Sequence, residues 1–271
     1  MQLFLRIVRY IKLHLFRDPR YFFSCVVQYL NPRFELKVSY YSNKEVAKFV
    51  EAGKSLIRFG DGEIYLLNHG DIAFEHSVPE LRALMNKIIK EYSMSASYVL
   101  GLNKIPLQMT NKKLKQKGLL SCWLPSKIYF NLYFNKKATY ADAAMFYFRE
   151  TIPNYFEDYL KTKHVIFVSN KQNCERFIVN NQIQFEHNQV VETPETGAFS
   201  EYKNIKTEVM FLVEKFGKDN SVVLAAFGPA SKVLAYELSK SGVQVLDVGQ
   251  GITAAYTSTD HSLSENIRML Q

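Results

Sequence analysis

Two glycine-containing turns hold the side chains whose types and spacing point to chemistry. The first reads Arg58-Phe59-Gly60-Asp61-Gly62-Glu63 and follows a predicted strand. Asp61 and Glu63 are two residues apart, and Gly62 between them could let the backbone turn sharply, so both carboxylates could bind one hard divalent cation. Arg58, together with such a cation, would neutralise a diphosphate. The alternative is an ordinary tight turn, because Gly-Asp-Gly is common turn composition.

The second turn reads Phe227-Gly228-Pro229-Ala230-Ser231-Lys232. Gly228 would allow a ligand close to the backbone, and Pro229 suits the first turn of a helix. Free N–H groups at that helix start, with the Ser231 hydroxyl and the Lys232 ammonium, predict a phosphate site. The pattern is neither a P-loop nor a GxGxxG fingerprint, so NTP hydrolysis and a dinucleotide-dependent oxidoreductase are not supported. Taken alone, a well-formed turn between strand and helix explains the same residues.

The elements that must position these turns follow from hydrophobic periodicity. Strands are predicted at residues 55–59, 98–102, 164–169, 221–227 and 243–248, and helices at 42–53, 81–92, 205–216 and 228–240. Residues 145–160 are predicted to be largely helical despite Pro153. Near-continuous apolar strands that alternate with helices predict an α/β fold with a largely parallel sheet and helices on both faces. In such sheets ligands bind at the carboxyl ends of the strands, which is where both turns lie.

Composition limits the class of protein. The chain has 271 residues, a net charge of +8, 47% hydrophobic and 22% charged residues, which excludes a disordered or low-complexity chain. The cysteines Cys25, Cys122 and Cys174 contain no CxxC pair, which argues against a disulfide scaffold or a structural zinc site. Positive charge with 14% aromatic residues leaves open a non-catalytic protein that binds nucleic acid or an anionic surface. No known RNA- or DNA-binding signature is present, so no nucleic acid is expected.

The amino terminus is basic and amphipathic. We divide the chain into a segment at 1–40 and a single domain at 41–271. On a helix, apolar residues at 3, 4, 7, 8, 11 and 15 lie opposite Arg6, Arg9, Lys12 and Arg17. Such a helix could lie on an anionic membrane, pack on the domain or bind a partner. Because no transmembrane run or signal peptide is recognisable, we expect a cytoplasmic protein, at most at the inner face of the membrane.

The two turns together resemble the GT-D glycosyltransferase family, which occurs in bacterial surface-glycan and adhesin-glycosylation clusters. The resemblance rests on residues 57–63, on 227–239 and on Asp247-Val248-Gly249. Between them, residues 194–202 resemble the family's segment of proline, small, aromatic and tyrosine residues. The family often has a histidine and an acid after its last Asp-x-Gly, where this chain reads Gly249-Gln250-Gly251-Ile252. Ser169-Asn170-Lys171-Gln172 likewise replaces its central Glu-Gly and Arg-Gly signals.

The resemblance implies a Rossmann-like enzyme that uses a nucleoside diphosphate sugar, typically a UDP-sugar, and Mn²⁺ or Mg²⁺. The family's Asp-Gly-Glu metal motif corresponds to Asp61 and Glu63. A glycan or glycoprotein acceptor is implied, which could be lipid-linked. Donor-binding residues would be Arg58, Gly60, Gly62, Gly228, Pro229, Ser231 and Lys232.

An inverting transfer also needs a base for the acceptor hydroxyl. The sequence offers Asp247 at a strand end, Glu195 and Glu201 in the proline segment, and Asp71 and Glu75 after the first turn. We place Asp247 with Asp61 and Glu63 in the catalytic group, and the sequence does not choose a base among the five.

Overall fold

The computed structural model describes residues 18–147, 151–179 and 188–249. The helix predicted within residues 1–17 and the departure at 250–252 lie outside the described residues. One eight-stranded sheet, with all neighbouring strands parallel, forms the centre of the molecule in the order β1-β4-β3-β2-β8-β7-β5-β6. The strands are β1 Ser39–Tyr40, β2 Ser55–Phe59, β3 Tyr98–Leu102, β4 Thr139–Asp142, β5 His164–Asn170, β6 Asn188–Thr193, β7 Ser221–Ala226 and β8 Val245–Asp247.

Helices cover both faces of this sheet. They are α1 Pro19–Tyr29, α2 Asn43–Glu51, α3 Asp61–Leu67, α4 Pro79–Glu91, α5 Lys104–Gln108, α6 Asn111–Gln116, α7 Leu120–Tyr133, α8 Thr151–Tyr155, α9 Glu157–Lys161, α10 Lys171–Val179, α11 Tyr202–Phe216 and α12 Ala230–Lys240. Short 3₁₀ turns lie at Met145–Tyr147, Ala198–Glu201 and Lys218–Asn220. Among the described residues, no helix is both long and apolar enough to cross a membrane. The predicted α/β class with a parallel sheet is confirmed.

Side chains alternate between two hydrophobic cores because neighbouring strand residues point to opposite faces. Ile57 of β2 belongs to the core under α4, α7, α11 and α12, whereas Leu56 belongs to the core under α2 and α9. Tyr21, Leu36 and Val38 are buried in the first of these cores. Part of the predicted 1–40 segment therefore packs on the domain.

Most predicted elements are confirmed, and the differences have physical reasons. Residues 145–160 are predicted to be largely helical, and the described residues there form a 3₁₀ turn at Met145–Tyr147 and then two short helices, α8 and α9, which are separated at Phe156. Pro153, which lacks a backbone N–H, lies in that region. The helix predicted from Gly228 begins at Ala230 instead, because Gly228 has a φ of 74° and cannot belong to a right-handed helix.

The order in which strands are added to the sheet reverses at its centre, between β2 and β8. From β2 the chain adds β3 and then β4 on one side, while β8, β7 and β5 lie on the other side. Leu56 pairs with Leu246 across this boundary. A parallel sheet opens a crevice at such a switch point, outside the carboxyl ends of the strands. The segments that leave β2 and β8 there are the ones that begin at Gly60 and Val248.

Candidate active site

A cleft of about 370 Å³ lies across the carboxyl ends of the central strands. Both predicted turns contribute to its wall. The charged and polar residues that line it are Arg58, Asp61, Glu63, Asn103, Asn170, Asn173, Thr193, Glu195 and Lys232, and Phe74, Tyr147 and Gly249 complete much of its surface. Its volume lies within the range of small-molecule sites.

The first turn is the start of α3. Gly60 is its N-cap residue, so Asp61 and Glu63 belong to the first turn of the helix. The Gly60 N–H donates to Glu63 Oε2 at 2.8 Å, which fixes this carboxylate. The expectation that Gly62 makes a sharp turn is wrong: Gly62 is helical, and a Cβ there would meet Ile72 only at 3.9 Å. The helix itself brings both carboxylates to the cleft.

Lys232 lies at the centre of the site and is 5% exposed. Its Nζ is 3.0 Å from Glu63 Oε1 and 3.2 Å from Asp247 Oδ2. The same ammonium donates to the Gly228 carbonyl at 3.3 Å. One lysine of the second turn is therefore held by a carboxylate of the first turn and by the aspartate at the end of β8.

Arg58 is fixed almost as tightly. Its Nε donates to the Asp247 carbonyl and its Nη1 to the Ala143 carbonyl, each at 2.6 Å. The guanidinium stands over the Phe146 ring, 5.6 Å from the ring centroid. Nη2 is 3.8 Å from Asp247 Oδ1, an oxygen that has no hydrogen-bond partner within the described part of the chain. Asp247 itself has no exposed surface.

Burial and opposite charge act against each other in this cluster. Burial alone would raise the pKa of Glu63, but the Lys232 ammonium and the Gly60 N–H outweigh it and hold the pKa below its usual value. Burial likewise would lower the pKa of Lys232, but the carboxylates of Asp247 and Glu63 raise it. Both side chains are therefore charged at neutral pH.

Most polar groups of the second turn form hydrogen bonds within the turn rather than facing the cleft. The Ser231 hydroxyl is fully buried and accepts the Phe227 N–H at 3.0 Å. The N–H groups of Ser231 and Lys232 donate within the turn, to the carbonyls of Gly228 and Pro229. Gly228 and Lys232 line the cleft, whereas Pro229 and Ser231 do not. A Cβ at Gly228 would lie 3.2 Å from the Phe74 ring, so this aromatic ring covers the turn.

Asp61 has a neighbour that sequence reasoning did not find. The Cys122 thiol, in the first turn of α7, donates to Asp61 Oδ2 at 2.8 Å. Burial raises the pKa of Cys122 to about 12, and the hydrogen bond and charge of Asp61 act in the same direction. The thiol is therefore protonated at neutral pH and serves as a hydrogen-bond donor.

The five candidate bases separate by position. Glu195 is exposed and lines the cleft. Glu75 is buried and accepts the Phe199 N–H at 3.0 Å, and so connects two loops. Asp71 accepts the Ser77 N–H at 2.7 Å, and Glu201 accepts from the Asn204 amide at 2.8 Å. Neither Asp71 nor Glu201 is among the lining residues.

Several polar lining residues follow strands directly and were missed as site residues. Asn103 follows β3, Asn170 ends β5 and Thr193 ends β6. The signal that could have found them is the fold itself, because every parallel strand delivers its last residues to the same edge. Tyr147, from an aromatic-rich stretch, also reaches the cleft.

A parallel sheet with charged side chains gathered at its central switch point is the arrangement in which open α/β proteins bind their ligands. The family model "Glycosyltransferase GT-D fold" matches residues 56–269. The chain belongs to this family, which confirms the resemblance and the predicted enzyme class at the level of the family.

Individual relatives agree with this assignment. The glycosyltransferase GlyD of Streptococcus pneumoniae serotype 4 (strain ATCC BAA-334 / TIGR4) is 26% identical over 212 residues, which is 74% of this chain and 25% of GlyD. The chain thus spans about a quarter of the length of this curated relative.

Solved structures show the same fold. A glycosyltransferase (DUF1792) from Streptococcus sanguinis is similar with a TM-score of 0.66 at 22% identity, over 80% of this chain and 83% of that chain. A second structure, of a domain of unknown function 1792 described as having a distinct glycosyltransferase fold, gives 0.63 at 20% identity, over 86% and 83%.

Proposed function

We propose that the chain transfers a sugar from a nucleoside diphosphate sugar, typically a UDP-sugar, to a glycan or glycoprotein acceptor, lipid-linked acceptors included. The observation that carries this proposal is the cluster of Asp61, Glu63, Lys232, Arg58 and Asp247 beside one cleft at the switch point of the sheet. Family membership supports the sugar donor, and the cleft volume suits a small molecule.

The charge of the cluster supports a requirement for a divalent cation. The three carboxylates of the cluster, Asp61, Glu63 and Asp247, outnumber its two cations, Arg58 and Lys232, by one. Glu195 in the cleft wall adds a further carboxylate. Both cations are already paired with carboxylates, so they cannot by themselves neutralise a diphosphate. A donor diphosphate would therefore meet a site of its own sign unless a cation bound with it.

Asp61 and Glu63 fit such an ion. Both line the cleft from one helical turn and offer carboxylate oxygens, which Mn²⁺ and Mg²⁺ prefer. Each carboxylate keeps acceptor capacity beside its present contacts. No group of three or more His, Cys, Asp and Glu side chains within the described ranges could hold a metal, so the remaining ligands would be donor phosphate and water. When bound, the ion would supply charge stabilisation for the leaving diphosphate.

The chain's own cations have orienting roles. Two N–H groups of Arg58 donate to backbone carbonyls, so the orientation of the guanidinium and of its remaining donors is fixed. Lys232 fixes the Glu63 carboxylate at the cleft wall. Because Asp247 is fully buried between these two cations, we assign it a positioning role rather than direct contact with substrate.

Glu195 is the base that we propose for an inverting transfer. Of the five candidates, it alone combines exposure with a place in the wall of the described cleft. It lies in the loop after β6 and lines the same cleft as the start of α3. A carboxylate in that position can accept the acceptor's proton while the diphosphate leaves.

Donor hydrolysis with Mn²⁺ tests the proposal. Asp61→Asn should abolish turnover and leave the fold intact; Glu63→Gln should also abolish it but disturb Lys232. Glu195→Gln should lower kcat while leaving donor binding unchanged.

A panel of UDP-, GDP-, dTDP- and CMP-sugars, with and without Mn²⁺, should identify the donor. One nucleotide sugar should raise the thermal unfolding temperature, and the rise should depend on the metal. Full activity of Asp61→Asn together with full activity in EDTA would remove the metal role, and no shift with any donor would remove the function.

A further inference from the structure

Helix α1 turns an apolar side outward. Phe23, Val27 and Leu30 are 57%, 61% and 76% exposed. They occupy one helix face by their spacing of four and three residues. Tyr21 is the only buried residue of this helix. Helices on a protein surface usually turn their apolar side to the core, whereas α1 has apolar residues on its outward side in addition to Tyr21 and Cys25, which pack on the core.

A second apolar surface adjoins this helix. A groove of about 360 Å³ runs between α1 and α7. Its walls are almost entirely apolar or aromatic, with Phe22, Val26 and Tyr29 among its α1 residues and Leu124 and Pro125 among those of α7. Contiguous exposed apolar surface of this kind marks an interaction site.

Exposed lysines stand next to this apolar surface on α6. The Asn111 amide, at the start of α6, donates to the carbonyls of Gln28 and Asn31 at 2.7 and 3.0 Å, which fixes α6 against the end of α1. Exposed side chains on this short helix are Lys112, Lys113 and Lys115. The sequence contains no Asp or Glu in residues 19–34 or 92–141, so no acid from these stretches offsets them.

We propose that this docking face, formed by Phe23, Val26, Val27, Leu30, the α1–α7 groove and the three α6 lysines, binds an anionic lipid bilayer. Apolar side chains would enter the boundary between headgroups and acyl chains, and the lysines would meet anionic headgroups. A second copy of the chain is a poorer occupant, because an isologous contact would bring the same lysine-rich face against itself.

The docking face also lies close to the cleft. Leu120 and Ser121 line the groove, and the next residue, Cys122, donates to Asp61 Oδ2. Docking would therefore place the Asp61 side of the cleft near the membrane surface. The proposal does not depend on the reaction, because the docking face lies outside the cleft.

Co-sedimentation of the full chain with vesicles tests this surface. One set contains phosphatidylcholine alone and the other adds phosphatidylglycerol. Val27→Asn with Leu30→Asn removes apolar contact, and Lys112→Gln with Lys113→Gln and Lys115→Gln removes charge. The control for the apolar variant is Phe211→Ser, because Phe211 is 64% exposed on α11. The control for the lysine variant is Lys44→Gln with Lys48→Gln, two exposed lysines of α2. Thermal unfolding confirms that each variant is folded. If the variant with both Val27→Asn and Leu30→Asn does not fold, Leu30→Asn alone replaces it.

The wild type should bind the anionic vesicles and not the neutral ones. The lysine variant should lose on the order of 100-fold in partitioning and the apolar variant at least about tenfold, while both controls bind like the wild type. If both the apolar variant and the lysine variant bind vesicles like the wild type, the proposal is overturned. This holds also when deletion of residues 1–17 abolishes binding, because the membrane contact then lies in that segment. A change from dimer to monomer in the apolar variant would assign the face to a second copy instead.

Discussion

The Lys232 ammonium lies 3.0 Å from Glu63 Oε1, although the two residues are 169 positions apart in the sequence. This contact joins the helix that follows β2 to the helix that follows β7. The same ammonium reaches Asp247 at the end of β8, so three separate connections of the sheet meet at one buried charge. The site residues are therefore also structural contacts.

Replacement of Lys232 by methionine should destabilise the fold strongly. It would leave the buried Glu63 carboxylate without its cation and Asp247 with Arg58 alone, and loss of one partner of a buried pair costs about 3–5 kcal/mol. Urea unfolding measures the loss. Lys240→Met is the matched control on the same helix, because Lys240 is exposed and its pair with Glu91 should contribute less than about 1 kcal/mol. Equal losses in the two variants would contradict the central role of Lys232.

Acid should remove the contribution of Glu63. Its folded pKa lies below the usual value of about 4.3, so its stabilising effect is present above that pH and is lost as pH falls through the folded pKa. The difference in unfolding free energy between the wild type and Glu63→Gln should therefore shrink below about pH 4. Urea titrations over a pH series from neutral to acid measure it. A difference that stays constant down to the acid limit of folding would show that Glu63 is not ionised in the native state.

Gly249→Ala should weaken donor binding by displacing Arg58. A Cβ at this position would lie 2.0 Å from Arg58 Nη2, and the glycine has a φ of 53°. We expect at least about a tenfold rise in the donor Kd, because a displaced guanidinium would no longer be aimed by its carbonyl contacts.

A control for this prediction separates strain from displacement. Gly53 also has a positive φ, of 84°, but a Cβ there would meet nothing within 4 Å. Gly53→Ala should cost about 1 kcal/mol of stability through backbone strain and leave donor binding unchanged. Similar donor affinities for the two variants would argue against a role for Arg58 in binding.

Asp61→Asn should make Cys122 more reactive. After burial, the hydrogen bond and charge of Asp61 are the causes that raise the pKa of the thiol to about 12. Without that negative charge more thiolate forms at mildly alkaline pH, and the thiolate is the form that is alkylated. Peptide mass spectrometry after timed iodoacetamide treatment measures the rate, with buried Cys174 as the internal reference. An unchanged rate would show that the contact between Cys122 and Asp61 does not persist in solution.

The sequence was sufficient for two central strands at the site because each is a short, mostly apolar run between polar or glycine residues. Residues 55–59 and 98–102 were predicted with their observed limits. It was insufficient for α7, which is apolar on nearly all sides and contains Pro125, so it shows neither a helical stripe nor an uninterrupted helical pattern. Because α7 was missing, the partner of Asp61 was missing too.

The site residues could be predicted by type but not by partner. The phosphate-binding role of Lys232 stays a prediction, but its pairing with two carboxylates, one from 169 residues upstream and one from β8, was not predicted. Such contacts depend on strand order, and neither turn contains any information about which strands become neighbours. Ser231 is a second example. Its hydroxyl accepts the Phe227 N–H within the turn, and the sequence pattern does not distinguish this contact from a contact with phosphate.

The two oxygens of Glu63 have separate partners, since Oε2 accepts the Gly60 N–H and Oε1 faces Lys232. A change at this residue would disturb the start of α3 and the charge balance of Lys232 together. Glu63 is therefore a poor position for altering which sugar or acceptor is used. Pro194 and Glu195 line the same cleft from the loop after β6, and neither holds a second part of the site, so divergence in specificity among relatives should concentrate there.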